Sequence, residues 1–122
     1  MSFDAKSELL SSLKANINLV TLCTGGFHNR KAKDVNAYPR LVYTEINNAD
    51  DEFADNEAIS SEVRFQISIF TNESNVSKET PIAKEADKVM KELGYSRYSS
   101  IDLYEEDDQV FHKAVRYVKT FN

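Results

Sequence analysis

Between residues 62 and 94 the apolar side chains change their spacing once, from strand-like to helix-like, and no other stretch limits the fold as much. Val63, Phe65, Ile67 and Ile69 alternate with Arg64, Gln66 and Ser68, the pattern of a long strand with one buried face. Ile82, Ala83, Ala86, Val89, Met90 and Leu93 then recur at helical spacing, with Lys, Glu and Asp between them. A strand and a helix joined by so short a polar segment can lay their apolar faces on each other. This unit is therefore the expected core, and no catalytic spacing is embedded in it.

A chain of 122 residues has room for one such core, so a single domain over 1–122 is expected. Its 41% hydrophobic and 29% charged content is ordinary for a soluble globular protein, and three Gly and two Pro argue against a loop-dominated chain. No apolar run approaches the ~18 residues that a membrane span needs, and the first residues lack a basic region followed by an apolar one. The expectation is a soluble, reduced chain made in the cytoplasm without a leader. One cysteine, Cys23, excludes an internal disulfide; its apolar neighbours Leu19, Val20 and Leu22 predict a buried, inert thiol.

Along the chain, Phe3, Leu10, Leu13 and Ile17, with Leu9 beside them, predict a first helix over 3–15. Asn16, Asn18 and the turn pair Gly25-Gly26 close that segment, and residues 28–37 read as an exposed loop or a short edge strand. Pro39 opens a strand over 40–46, where its missing N–H costs least. Residues 47–58 are polar and acidic, an expected mobile hairpin before an antiparallel return strand over 59–70. Thr80, with Ser77 as the alternative, is the expected cap of the second helix, Pro81 its first turn and Gly94 its left-handed stop. Asp87–Lys91 and Lys88–Glu92 are its expected ion pairs. A short strand over 95–103, an acidic turn and a closing strand over 109–121 complete the order, with Phe111, Val115, Tyr117 and Phe121 on one face.

Charge is distributed in blocks within a net −5. Arg30, Lys31, Lys33 and Arg40 stand against a single Asp34, whereas Glu45, Asp50, Asp51, Glu52, Asp55 and Glu57 have no base among them. A second acidic cluster, Asp102 and Glu105 to Asp108, precedes the basic His112, Lys113, Arg116 and Lys119. Solvated loops and strand faces account for such blocks. They also suit head-to-tail association of identical subunits.

Catalytic and metal chemistry finds little support. His28 and His112 are far apart and sit in no zinc-ligand spacing, no G-x-S-x-G elbow exists, and Gly25-Gly26 opens no phosphate loop. Asp50 and Glu52 fit an EF-hand series, but Ala54 breaks it and the central Gly is absent. With a pI near 5.0 and no recognisable nucleic-acid motif, specific DNA or RNA binding is not expected. The reading is of a non-enzymatic protein without cofactor or metal.

One resemblance spans nearly the whole chain. An amphipathic N-terminal helix, a Tyr-Pro-Arg-Leu-Val-Tyr strand entry at 38–43, a long polar hairpin and the Val-Arg-Phe-Gln-Ile-Ser-Ile-Phe strand at 63–70 come in that order. The Ala-Lys-Glu-Ala-Asp-Lys-Val-Met-Lys-Glu-Leu-Gly helix at 83–94 and a charged, alternating closing strand follow. Together they resemble the tail-completion proteins of long-tailed phages and prophages, also called tail-to-head joining or tail-terminator proteins. The resemblance implies a virion protein, made in the host cytoplasm, that caps the head-proximal end of the tail tube as a ring, typically a hexamer. Its implied partners are copies of itself, the tail-tube protein and the head connector or stopper.

The resulting expectation is an α+β domain with a mostly antiparallel sheet of four to five strands and two helices packed on it. Arg30, Lys31, Lys33, Arg40, Asp50, Asp51, Glu52 and Asp55 are the candidate subunit or partner contacts. A head-side neck or connector protein, and a small cytosolic protein-binding module using an exposed strand edge, are the alternatives.

Overall fold

The computed structural model describes residues 2–54 and 57–121, and all of their side chains except those of 2, 51–54 and 57–59. Five strands form one sheet in the order β1-β2-β3-β5-β4, with β1 Phe27–Asn29, β2 Arg40–Ala54, β3 Glu57–Thr71, β4 Ser96–Glu105 and β5 Val110–Phe121. Every pairing is antiparallel except β1 with β2, which is parallel. Three helices, α1 Ala5–Ala15, α2 Ile17–Leu22 and α3 Glu79–Glu92, complete the α+β fold. Sheet and helices meet in one core. Val63, Phe65, Ile67 and Ile69 of β3, with Val115 and Tyr117 of β5, pack against Leu9, Leu13, Leu19, Ile82, Ala86, Val89 and Met90. The strand-to-helix unit thus lies where the alternating and helical spacings put it.

The N-terminal helix uses a different face from the expected one. A 3-10 turn at Ser2–Asp4 precedes α1, and Ala5, Leu9 and Leu13 are its buried side chains, while Phe3 and Ile17 are exposed. Asn16 breaks the helical phase: its backbone is extended, and its Oδ1 accepts from the Leu19 N–H at 3.0 Å, capping a second helix. The break delivers Leu19 to the core and turns Ile17 outward.

The start of α3 also differs. A 3-10 turn at Val76–Lys78 runs straight into the helix, so Lys78, without a side-chain cap bond, precedes it and neither Thr80 nor Ser77 caps it. Pro81 is then the third helical residue, still among the four whose N–H has no partner within the helix. The stop is as expected. Gly94 has φ +92°, its N–H donates to Lys91 O at 2.9 Å, and the Tyr95 N–H donates to Met90 O at 2.9 Å. The Lys119 ammonium adds a bond to Leu93 O at 2.6 Å, placing a cation on the negative helix end. Of the two expected ion pairs, Asp87–Lys91 forms at 2.8 Å, whereas Lys88 turns back to Glu85 at 3.2 Å. Glu85 also takes a bond from Asn18 of α2, which holds its carboxylate in reach.

The polar hairpin is largely strand. β2 continues to Ala54 and β3 begins at Glu57, with register shifts between Glu45 and Asn47 and again between Asp50 and Phe53. Ser61 is the last β3 residue paired with β5, so beyond it β2 and β3 run on as a two-stranded ribbon. Mobility was expected over the whole of 47–58; of that stretch 47–54 and 57–58 are strand, and residues 55 and 56 lie outside the described residues.

Candidate functional site

Among the described residues, the acidic blocks lie along β2 and at the end of the edge strand β4, and the basic residues His112, Lys113, Arg116 and Lys119 lie on the inner strand β5. The first basic block follows β1, a parallel edge strand of only three residues. Arg30 leaves β1 with φ +66° while its N–H still bonds Tyr43 O at 2.9 Å, and the chain then crosses the sheet face opposite the helices. Asp34 shapes the crossing by accepting from the Asn36 N–H at 2.9 Å. Gly25 anchors the other side of the loop: its N–H donates to Pro39 O at 2.6 Å, and a Cβ there would lie 2.5 Å from the same oxygen.

Arg40 holds the loop in place. Its guanidinium sits between the Tyr38 and Phe70 rings, 4.5 and 4.6 Å from their centroids, and donates to Val35 O at 2.8 Å. Arg40 is buried, whereas Arg30, Lys31 and Lys33 are exposed, so only three of the four expected basic contacts present their charge to solvent. Phe70 also stacks on His112, 4.3 Å between ring centroids. Burial pushes the His112 pKa down, Glu105 pulls it back, and Arg40 adds to the depression. Arg30, Lys31, Arg40 and His112 surround a hollow of about 340 Å³ floored by Thr44, Gln66 and Ser68.

Of the expected acidic contacts, Asp50 is exposed on β2 and accepts from the Ser61 hydroxyl at 3.0 Å, across the ribbon. Asp51 and Glu52 belong to the irregular part of β2, and their side chains lie outside the described ones. Asp55 lies outside the described residues altogether. The basic and acidic sets are thus separate: one beside β1, the other on the ribbon.

Sequence reasoning named the second acidic cluster as a charge block but did not make it a contact. Glu105 ends β4, and 106–108 fall in the turn to β5, all exposed and without an ion pair among the described residues. Asp102 of β4 pairs with Lys113 at 2.7 Å. β4 is the sheet's far edge, and it carries exposed Tyr98, Ile101, Leu103 and Tyr104. The alternation of Ile101 and Leu103 was legible; their exposure followed only from β4 being an outer strand.

One polar cluster is structural. Asp87 of α3 accepts from the Tyr117 hydroxyl of β5 at 2.8 Å, pairs with Lys91, and lies 3.8 Å from Arg97 of β4. Burial raises its carboxyl pKa, but the Lys91 and Tyr117 bonds and the Arg97 charge outweigh this and hold it below the usual carboxylate value. A depressed carboxylate stabilises the fold above its unfolded pKa, and that stability is lost as pH falls through the folded value. Asp87→Asn is expected to cost about 1 kcal/mol at neutral pH, limited by solvent screening at this rim position. The difference from the parent should shrink toward pH 3, read by urea unfolding at both pH values.

Among the described residues no group of three His, Cys, Asp or Glu is placed to hold a metal ion. Cys23 is buried and its thiol is pushed up to about 12 by desolvation, which leaves no thiolate at neutral pH. No described helix is long and apolar enough to cross a membrane. The surface carries two sheet edges, a charged ribbon and patches of opposite sign.

A chain in the virion of a native gene transfer agent particle has a similar structure, with a TM-score of 0.64 and 14% identity over 90% of this chain and 88% of that one. This chain shares its fold. Bacteriophage SPP1 gp17 is similar over 99% of this chain and 91% of its own, with a TM-score of 0.57 and 12% identity. No protein-family profile and no curated protein matches the sequence. At these identities the likeness lies in the fold, and it agrees with the phage tail-completion resemblance read from the residues.

Proposed function

We propose that this chain is a non-enzymatic structural subunit of a phage-type virion. As a single domain it caps the head-proximal end of the tail tube in a ring, a hexamer in the resemblance, and joins the tail to the head connector or stopper. It is made in the host cytoplasm and ends at the tail–head joint. The observation that carries the reading is the fold shared, over nine-tenths of the chain, with a component of a gene transfer agent virion. The long strands favour the tail side over a more helical neck component. A capping ring needs two different faces on each subunit and a third for the tube or the connector. The sheet edges and the β2–β3 ribbon supply candidates for all three.

Tagged protein recovered from a phage-producing lysate and read by mass spectrometry tests the proposal. Enrichment of tail-tube or head-connector proteins is the expected result. Recovery of host proteins only, with phage structural proteins abundant in the input, would sink it and favour the cytosolic binding module.

A further inference from the structure

The hollow between the basic loop and the sheet is built for a charge that the chain itself does not supply. Arg30 and Lys31 border it from the loop, Arg40 from the start of β2 and His112 from β5, and no carboxylate is among its described lining residues. Its floor is polar. Thr44 pairs with Gln66 across β2 and β3, and Ser68 lies two residues further along β3. Gln66 donates to Ser68 Oγ at 3.0 Å and accepts from Arg116 at 3.1 Å, so the Ser68 hydroxyl hydrogen is left for another acceptor. At about 340 Å³ the hollow falls at the small end of ligand pockets, which span about 300–1,000 Å³.

Two buried nitrogens on this hollow have no hydrogen-bond partner among the described residues: Arg40 Nε and His112 Nε2. Arg40 is only 8% exposed. The Val35 carbonyl and the Tyr38 and Phe70 rings around its guanidinium carry no formal charge. Glu73, Glu105 and Asp108 line the adjoining hollow, which Arg40 also borders, yet none of them forms an ion pair with it. A buried cation without a counter-charge and a buried N–H without an acceptor both cost folding free energy, and native structures ordinarily offset that cost with a bound group. Water would satisfy the N–H; only an anion also answers the charge.

We propose that this hollow is a binding site for a phosphate group, either the free ion or the group of a small phosphate monoester. Donors reach it from three directions: Arg30 and Lys31 from the loop, Arg40 and His112 from the sides, and Ser68 and Thr44 from the floor. A tetrahedral oxyanion has oxygens for all three sets, whereas a planar carboxylate leaves one set without an acceptor. Phosphate bound there ties the loop to the strands beneath it and neutralises Arg40. The site is a property of the isolated chain and stands apart from the virion role proposed above.

Titration of the protein with inorganic phosphate, followed by NMR with chloride keeping the ionic strength constant, tests the site. Saturation with a Kd below about 1 mM is expected, with shifts confined to the loop, to Arg40, Thr44 and Ser68, and to the His112 ring. Arg30→Gln and Lys31→Gln change exposed side chains and should each weaken binding about tenfold, the loss of one charge-assisted hydrogen bond. Lys33→Gln removes the same charge from the same loop but lies outside the lining, so its Kd should stay within about twofold of the parent. Glycerol 3-phosphate is the second arm: tighter binding than inorganic phosphate assigns the site to a monoester, and equal or weaker binding assigns it to the free ion. Shifts that do not saturate, a Lys33→Gln loss equal to that of Lys31→Gln, or acetate binding as tightly as phosphate would each overturn the site.

Discussion

Truncating Phe65 to Ala is expected to lower stability by about 4 kcal/mol and the melting temperature by about 20 °C. Phe65 is fully buried in the middle of β3, the strand paired on both sides, and its ring meets Tyr95 edge-on, 5.7 Å between centroids at 68°. Tyr95 is the residue just after the α3 stop, so this aromatic contact fastens the helix end to the sheet centre. Removing the ring loses apolar burial, the edge-to-face contact and the packing of every group lining the new cavity. A domain of this size has about 5–15 kcal/mol in total, so the variant should sit near the limit of folding at 37 °C. Phe65→Leu keeps most of the volume and is expected to cost about 1–1.5 kcal/mol. Urea denaturation of the three proteins checks both figures. A loss below about 1 kcal/mol for the alanine variant would mean that β3 is not the centre of the core.

The core was legible because alternation along β3 and helical spacing along α3 report burial directly, residue by residue. Val63 to Ile69 and Ile82 to Met90 lie where those patterns place them, and Gly94 stops the helix because only a residue tolerant of positive φ fits there. The N-terminal segment was misread for a physical reason. A regular helix through residues 3–17 is what its apolar spacing favours, but Asn16 accepts from Leu19 and breaks the phase, a local bond that periodicity does not register. β1 was equally hidden. Three residues carry no alternation, and their strand character comes from pairing with β2. Acidic residues 47–54 looked like loop because they have no apolar face, and their strand character comes from pairing with β3.

The candidate surface was legible as charge and illegible as geometry. Composition located the bases at 30–40 and the acids near 50 and at 102–108, but only the fold shows that the loop after β1 crosses the sheet face, so that Asn36 and Arg40 line the same hollow as Glu105 and Asp108. Asp34, the lone acid of the basic block, shapes the loop through its bond to Asn36 and is part of the scaffold. Arg40 shows the same limit most sharply. In sequence it is one of four bases; in the fold it is the brace that positions the other three.

Replacing Arg40 by Ala is expected to cost about 3 kcal/mol and to release the basic loop from the sheet. The guanidinium stacks on two rings and donates to a loop carbonyl, so its loss removes two cation–π contacts and a charge-assisted hydrogen bond at a buried position. Arg40→Lys should recover less than half, because an ammonium cannot lie flat between Tyr38 and Phe70 while bonding Val35. The damage should be local. Amide hydrogen exchange is expected to quicken about tenfold at residues 31–37 in the alanine variant while β3 and α3 keep their protection once the global loss is allowed for. His112 provides an independent reading. Arg40 contributes to its lowered pKa, and the loop helps to bury it, so in the alanine variant its titration should move up toward the ordinary imidazole value. An unchanged His112 titration and unchanged loop exchange would show that the loop holds itself on the sheet without Arg40. With both shifted, Arg40 is what keeps Arg30, Lys31 and Lys33 beside the β1 edge, and any assembly that uses those charges depends on a residue that never touches the partner.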